Sequence, residues 1–473
     1  MPDKIKFGTD GWRGIIDADI TNKTIANAAQ AFADFLIAHS KEKDILKVAI
    51  GHDGRTHSRP WALLFARVLS GNNIIAYLSD RIIPTPILSY YVKANNLSAG
   101  VMITASHNPA EYNGVKFKAH HGGPFSSEQT HEVESLLGKE LVQADDDKIY
   151  QIDMHGVYFR HLERSIDFEL IKTAGLNVLI DSMAGAGQQV LETMFMNYNI
   201  QSKTIYKIAE KDFAGRKPEP VEKNLTPLKE ELLKGEYSAG LATDGDADRL
   251  GVLMENGEWL SAQETIILLG DYLVNNKNIK GDIVKTLSVT DKVRNLFEGN
   301  GRKVLDVEVG FKNISEVMIE EDIAFGCEES GGYGFNNHIP DKDGLYSALL
   351  LLEMLASSGY KKLSDFVREK RKQYGPVYYS RIDFASNNNI TETISNMFRN
   401  PPQTIGNKSV VSFRELHSIR GNINGLKFSF SGSTRWLLIR ASETEPVVRI
   451  YAEGTSNDEV NEFLEMGKNL FRN

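Results

Sequence analysis

Ser98-Ala99-Gly100-Val101-Met102-Ile103 runs directly into Thr104-Ala105-Ser106-His107-Asn108-Pro109, and the reading of these twelve residues decides the fold. The first six are short, mostly apolar and closed by turn formers, which is the pattern of a buried strand. Asn108-Pro109 then ends regular structure, because proline lacks an amide donor and restricts the residue before it. Ser106 is therefore expected on a loop at a strand end, with its hydroxyl free to react. Ten residues further on, Lys116 in Asn113-Gly114-Val115-Lys116 returns a cation towards the same place. A Ser-His-Asn-Pro alone would read as a surface turn with a capping serine. The other loops of the chain argue for more.

Upstream, the chain alternates between strand and helix patterns. Phe7-Gly8-Thr9-Asp10-Gly11-Trp12-Arg13-Gly14 is glycine-rich and should hold Arg13 on a stiff loop. Asn22 to His39 is amphipathic and alanine-rich, hence helical. Lys47 to Ile50 reads as a strand ending in the loop Gly51-His52-Asp53-Gly54-Arg55. Ser58 reads as an N-cap with Pro60 in the first turn of a helix that runs to Gly71. Asn73 to Leu78 reads as a strand, and Pro84-Thr85-Pro86 as a rigid connector. This alternation predicts a first α/β domain over residues 1–150. The run Asp145-Asp146-Asp147 reads as a solvated surface segment.

Downstream, Leu176 to Ile180 starts a second alternation, which predicts a domain over 151–255. Asp181-Ser182-Met183-Ala184-Gly185-Ala186-Gly187 resembles a dinucleotide fingerprint, but Val190 stands where its third glycine belongs. A tight strand-to-helix turn is the better reading. Ser238 to Ala242 is a small-residue strand leading into Thr243-Asp244-Gly245-Asp246-Ala247-Asp248-Arg249. Carboxylates at i, i+2 and i+4 repel one another unless a cation sits among them, and hard oxygen ligands favour Mg²⁺, Mn²⁺ or Ca²⁺. The spacing also matches the start of an EF-hand loop. However, Arg249 fills the position that needs glycine, and the flanks read as strands. A catalytic divalent cation held by Asp244, Asp246 and Asp248 is the expectation, with Arg249 beside it for a phosphate.

After the Asn256-Gly257 turn, a third alternation predicts a domain over 256–372. It has a helix from Ala262 to Val274, strands at Ile283 to Thr286 and Lys303 to Val307, and a loop, Val309-Gly310-Phe311-Lys312, carrying a lysine. The strand Ile323 to Gly326 leads into Cys327-Glu328-Glu329-Ser330-Gly331-Gly332, a turn able to hold vicinal sugar hydroxyls. Asp341-Lys342-Asp343-Gly344 precedes an apolar helix, Leu345 to Leu355, and a charged helix spans Ser364 to Gln373. The last stretch, 373–473, changes character. Leu426 to Ser431, Trp436 to Arg440 and Val447 to Tyr451 alternate like antiparallel strands, with a helix after Asn457. Between the last two strands lies Arg440-Ala441-Ser442-Glu443-Thr444-Glu445-Pro446, with Arg449 beyond, an expected anion cradle.

The chain has 473 residues, 41% apolar and 25% charged, enough for several ordinary globular cores. Its net charge of −9 argues against nucleic acid or an anionic membrane as partner, but not against a small anion met by local cations. No apolar run approaches the ~18 residues of a membrane span, and the N-terminus has no apolar leader core. A single cysteine, Cys327, allows neither an internal disulfide nor a cysteine metal cluster, and it reads as structural. A cytoplasmic protein is expected.

Four of these motifs, TASHNP with its later lysine, DGDADR, CEESGG and RASETEP, resemble in content and order those of the α-D-phosphohexomutase family. The resemblance covers nearly the whole chain. It implies three similar mixed α/β domains and a smaller C-terminal α+β domain around a central cleft. It also implies transfer of phosphate between the 1- and 6-positions of a hexose. By this resemblance Ser106 is the phosphoserine, and it binds Mg²⁺ through its phosphate together with Asp244, Asp246 and Asp248. Arg13, Lys116 and Arg249 would line the reacting phosphate, while Glu328, Ser330, Lys312 and Lys342 would meet the sugar. Arg440, Ser442 and Thr444, with Arg449 nearby, would grip the phosphate that is not reacting. Lys116 and His107 are both candidates for acid–base work. Glucose 1,6-bisphosphate would prime the enzyme, and the expected partner is a small hexose phosphate, bound by a monomer or weak homodimer. Glu328-Glu329-Ser330 points to a phosphoglucomutase, with phosphomannomutase or phosphoglucosamine mutase as alternatives. A metal-dependent sugar phosphatase and a non-catalytic sugar-phosphate sensor are the readings from other classes.

Overall fold

Three of the four sheets repeat one plan. The computed structural model describes residues 5–8, 10–41, 45–385, 389–418, 421–432, 434–442 and 447–472. In the first sheet, Lys47–His52 runs parallel to Ile75–Ser79 on one side and to Ala99–Ile103 on the other. Ala99–Ile103 then pairs antiparallel with Tyr112–Ala119. In the second, Asn177–Asp181 is parallel to Gln201–Ile205 and to Ala239–Thr243, which pairs antiparallel with Leu250–Met254. In the third, Asp282–Thr286 is parallel to Val304–Val307 and to Ile323–Cys327, which pairs antiparallel with Tyr333–Phe335.

Each plan therefore has one strand that leaves a parallel pair and returns antiparallel across a single loop. The three loops are 104–111, 244–249 and 328–332, and they hold TASHNP, DGDADR and EESGG. The strands before them, Ala99–Ile103, Ala239–Thr243 and Ile323–Cys327, are buried at every position. Such strands are apolar throughout because both faces are covered. A ligand crevice lies beyond the carboxyl ends of parallel strands in sheets of this kind.

The fourth sheet is antiparallel throughout, in the order Tyr378–Ala385, Val447–Gly454, Trp436–Ala441, Ile423–Phe430, Lys408–His417 and Thr404–Ile405. The helices Ile390–Arg399 and Asn457–Asn469 cover one face through Ile394, Phe463 and Leu464 against Phe428, Ile439 and Ile450. Trp436, Leu438 and Tyr451 on the other face pack with Leu287 of the third unit. The helix Gly344–Ser357 is buried from Gly344 to Ala356, apolar on all sides, and lies in a core continuous across the first three units. Among the described residues no helix is long and apolar enough to cross a membrane.

Three local expectations need correction. Ser58 is not the N-cap of its helix. His57 takes that place in the left-handed region (φ 66°), while the Ser58 hydroxyl donates to Asp53 Oδ1 at 2.6 Å. A buried carboxylate needs its donors more than one exposed helix end does. Pro84-Thr85-Pro86 opens the helix Thr85–Ala94, since proline fits the first turn. Lys312 is not on a loop: it lies in the first turn of the helix Phe311–Glu320, whose Phe311 and Ile314 enter a small core with Val284 and Ile323. Val317 and Met318 pack against that core. This apolar spacing of three and four residues is helical.

Candidate active site

Ser106 sits at φ 51°, a left-handed backbone that turns the loop sharply after the strand. Its side chain is fully buried. The hydroxyl donates to Asp244 Oδ2 at 2.9 Å and lies 3.3 Å from His107 Nδ1. The loops from the first and second sheets thus touch at their reactive atoms. Gly245 permits this approach, since any Cβ there would collide with the Ser106 carbonyl oxygen. Burial first, then the cations Arg249, Arg13, Lys116 and Lys217, hold the His107 ring well below its ordinary range, hence neutral.

The three aspartates gather so that one carboxylate oxygen from each lies within 4.8 Å of the others. Asp244 Oδ1 is taken by the amides of Asp248 (2.9 Å) and Arg249 (3.1 Å), which fixes the loop. Thr85 donates its hydroxyl to Asp246 Oδ2 at 2.6 Å. Lys116 reaches into the same cluster, 2.8 Å from Asp246 Oδ2, 2.9 Å from Asp248 Oδ2 and 2.8 Å from Asp10 Oδ2. Burial alone would lower the Lys116 ammonium, but Asp10, Asp246 and Asp248 outweigh it and hold it well above its ordinary range. Burial, with Asp248 and Asp246 beside it, pushes the Asp244 carboxyl well up. Burial would also raise Asp246, yet Lys116 and the Thr85 hydroxyl hold it low.

A metal fits these residues. Asp246 Oδ1 and Asp248 Oδ1 are buried without a hydrogen bond, and a hard cation is what two such oxygens lack. The neighbouring turn at 181–187 supports this loop. Its Ala186 amide donates to the Gly245 carbonyl at 2.9 Å, and Arg216 clamps Asp181 by two bonds of 2.9 Å.

The other expected cations gather here. Arg13 donates to Asn108 Oδ1 (2.8 Å) and pairs with Asp10 (3.2 Å). The glycines around it permit the close packing, since at Gly11 (φ 85°) a Cβ would lie within 3.1 Å of Lys116 Cα. Arg249 Nε lies 4.0 Å from Asp248. Burial opposes its charge, but Glu328, Asp248 and Asp244 raise it. Lys342 lies 3.5 Å from both Asp10 and Asp248, and 5.2 Å from the Phe311 ring.

Glu328 is buried and accepts a bond from the Ser330 hydroxyl. Burial pushes its carboxyl up, against the pull of Lys342 and Arg249. Gly332 leaves room for the Lys342 stem, which any side chain there would displace. Glu329 turns the other way and accepts from Ser288 Oγ at 2.5 Å. It braces the loop and does not join Glu328. Lys312 is buried next to Phe311. Cys327 is buried too, and burial raises its thiol far above a reactive range.

Arg440 and Arg449 lie on the C-terminal sheet, and Ser442 follows the strand Trp436–Ala441. Arg440 is buried and faces Arg449 across the strand pair, and the Ser442 amide closes the loop onto the Val447 carbonyl at 3.0 Å. Thr444 and Glu443 lie outside the described residues. Glu219 pairs with Lys217 at 3.1 Å. Burial would raise its carboxyl, but Lys217, Arg249 and Arg381 hold it low.

Asp10, Arg55, Thr85, Lys217 and Glu219 were not picked out as site residues from the sequence. Asp10 and Arg55 lie inside glycine-rich stretches whose looping was legible, so the signal was present for those two. Thr85, Lys217 and Glu219 lie between prolines or beside them, where the sequence reads only as linker.

Comparison with known proteins covers nearly the whole chain. Four profiles match the chain in order: "Phosphoglucomutase/phosphomannomutase, alpha/beta/alpha domain I" at 4–143, domain II at 156–257, domain III at 261–374 and the C-terminal domain at 407–468. A Methanobrevibacter smithii protein named "Probable phosphoglucosamine mutase" is 30% identical, over 96% of this chain and 95% of its own. The chain belongs to the α-D-phosphohexomutase family. This phosphohexomutase is also 29% identical to a Thermococcus kodakarensis phosphoglucomutase/phosphomannomutase, over 98% of each chain. A crystal structure from Thermus thermophilus, described as a candidate phosphomannomutase, is 31% identical and superposes with a TM-score of 0.86 over 99% of both chains. Parafusin from Paramecium, at 20% identity, shares the fold with a TM-score of 0.83, covering 99% of this phosphohexomutase and 95% of its own chain. The four-domain organisation of three α/β units and a C-terminal unit is thereby shown, as is an enzyme of the mutase class.

Proposed function

We propose that this phosphohexomutase is a phosphoglucomutase, interconverting glucose 1-phosphate and glucose 6-phosphate through phospho-Ser106 and a sugar 1,6-bisphosphate. The observation that carries the reading is the 2.9 Å contact between the Ser106 hydroxyl and Asp244, which joins a buried nucleophile of one unit to the acidic cluster of another. Asp244, Asp246 and Asp248, with the phosphate on Ser106, would hold Mg²⁺. Bound there, the ion would neutralise charge on the transferring phosphoryl group.

The chain's own residues supply the rest. Arg13, Lys116 and Arg249 bring positive charge to the phosphoryl oxygens. Two groups can take the hydroxyl proton directly, Asp244 at 2.9 Å and His107 at 3.3 Å, while Lys116 lies one carboxylate away. Glu328 and Ser330 accept and donate to vicinal sugar hydroxyls, with Lys312 and Lys342 along the ring. Arg440, Ser442, Thr444 and Arg449 grip the distal phosphate, and that grip orients the reacting end. Glucose 1,6-bisphosphate primes Ser106. A covalent phosphoserine divides the isomerisation into two transfers.

Full burial of Ser106 favours transfer to a sugar over hydrolysis, and so a mutase over a phosphatase. Relatives named for glucosamine and for mannose keep those sugars as alternatives. The test is a panel of glucose, mannose, glucosamine and N-acetylglucosamine 1-phosphates, with primed enzyme and Mg²⁺. Highest kcat/KM on glucose 1-phosphate supports the reading. A higher value on glucosamine 1-phosphate reassigns the substrate, and stoichiometric free phosphate from every sugar overturns the mutase.

A further inference from the structure

We propose that Arg55 is the positioning residue of the nucleophile: it holds the Ser106 loop in its reactive shape without touching the substrate. A guanidinium has five N–H donors in one plane. In this chain all five are used. Nη2 donates to the carbonyls of Ser106 and Asn108, both at 2.6 Å. Nη1 donates to those of Pro109 (2.7 Å) and Tyr112 (2.9 Å). Nε donates to Asp53 Oδ2 at 3.1 Å. Arg55 is 3% exposed, and its guanidinium lies 4.5 Å from the centre of the Phe213 ring.

Asp53 anchors the same assembly from behind. Its Oδ2 also accepts the Thr104 hydroxyl at 2.6 Å, and Thr104 Oγ1 in turn accepts the Ser106 amide at 2.9 Å. Its Oδ1 accepts the Arg55 amide (2.9 Å) and the Ser58 hydroxyl (2.6 Å). The loop that carries the nucleophile thus has its carbonyls gathered on one cation and its Ser106 amide tied to the counterion of that cation. Ser106 at φ 51° is an uncommon backbone for a serine, and a loop held at four carbonyls keeps it there. Lysine has no fork and cannot gather four carbonyls in a plane.

This inference rests on Ser106 being the phosphorylated nucleophile. Three proteins test it: Arg55→Lys, Arg55→Ala and the milder Thr104→Val. The readouts are the rate of Ser106 phosphorylation by glucose 1,6-bisphosphate, KM and kcat for glucose 1-phosphate, and amide exchange over 105–112. We expect phosphorylation and kcat to fall together in Arg55→Lys by about 100-fold, the scale of a small misplacement of reacting groups. KM should stay within about threefold, since the sugar and distal-phosphate loops are untouched. Millimolar guanidinium should restore part of the rate in Arg55→Ala. Thr104→Val, purified as folded protein, should show the same kcat-only pattern with a smaller loss. Exchange over 105–112 should speed up in all three while the rest of the first unit stays protected. Unchanged exchange there, or a normal phosphorylation rate in folded Arg55→Lys, overturns the proposal. Failure of the wild-type protein to take phosphate on Ser106 would instead overturn the functional reading, and the exchange data would still decide the role of Arg55.

Discussion

The serine loop and the aspartate loop leave equivalent strands in the first and second units, yet they are stabilised in opposite ways. The serine loop has its polar groups paired: four carbonyls on Arg55, the Ser106 amide on Thr104, and the hydroxyl on Asp244. The aspartate loop is pinned by its backbone, with the Gly245 amide on the Pro218 carbonyl and two amides on Asp244, while two carboxylate oxygens are buried without a donor. One loop has its groups paired, and the other keeps Asp246 Oδ1 and Asp248 Oδ1 without a hydrogen bond even though Lys116 and Lys342 lie beside their carboxylates. A buried group left unpaired in this way costs stability, and two such oxygens within one acidic cluster fit a bound cation. Geometry comes from the first unit and charge demand from the second.

If that division is right, the two loops should fail differently when altered. Ser106→Ala should leave the fold intact and cut turnover by more than about 1,000-fold, as loss of a nucleophile does. A steady-state assay on glucose 1-phosphate with glucose 1,6-bisphosphate present reads this, and near-normal turnover would remove Ser106 from the chemistry. Asp246→Asn should lower kcat by about 100-fold, the size of losing one main electrostatic stabiliser. Its melting temperature should also respond less to Mg²⁺ than the wild type's, because a ligand stabilises only the state that binds it. An equal Mg²⁺-induced rise in both proteins would deny the aspartate loop its cation.

The residues seen from the sequence and those missed follow the same division. Loops that bring their own side chains to the candidate site are legible: Ser106, the three aspartates, Lys116 and Glu328 are spaced within single motifs. So is the repeated α/β plan, because buried strands between glycine-rich turns have a short-range pattern. What escaped was support given at a distance. Arg55 acts on a loop about fifty residues away, and Thr85 on Asp246 across two units. Lys312 reads as a loop residue in Val309-Gly310-Phe311-Lys312, although Phe311, Ile314 and Met318 spell a helix face. Ser58 reads as a cap, since no local signal announces the buried Asp53 that takes its hydroxyl.

The C-terminal sheet offers a gentler test of the same comparison, since it contributes neither nucleophile nor metal ligand. Arg440→Ala should raise KM and lower kcat together, costing about 10–100-fold in kcat/KM, the worth of one or two charge-assisted bonds. Free glucose 1,6-bisphosphate should accumulate in a single turnover of phosphorylated enzyme, and a quench with the bisphosphate quantified reads it. Unchanged constants and no extra bisphosphate would leave this sheet without a grip on the substrate.

The smallest effect concerns the anchor of the Lys342 loop. His161 Nε2 meets His338 Nδ1 at 2.8 Å, and His338 Nε2 meets Asp343 Oδ2 at 2.8 Å. Burial, with His338 beside it, lowers His161 to about 4. The unfolded chain, with histidine near ~6.5, binds the extra proton first. Stability from this group is therefore full above pH ~6.5 and is lost as pH falls towards about 4. His161→Gln should flatten the melting temperature against pH in that window by a few degrees, and an unaltered slope would show that the ring stack does not titrate.

The central claim is that Ser106 and the three aspartates form one phosphoryl-transfer site. Intact-mass and fragment analysis after incubation with glucose 1,6-bisphosphate tests it most directly, in Mg²⁺ and in excess EDTA. The account predicts an added ~80 Da, one phosphoryl group, located on Ser106, formed in Mg²⁺ and not in EDTA, and absent from Asp246→Asn on the same timescale. Phosphate on another residue, or equal labelling of Ser106 with and without EDTA, would contradict it.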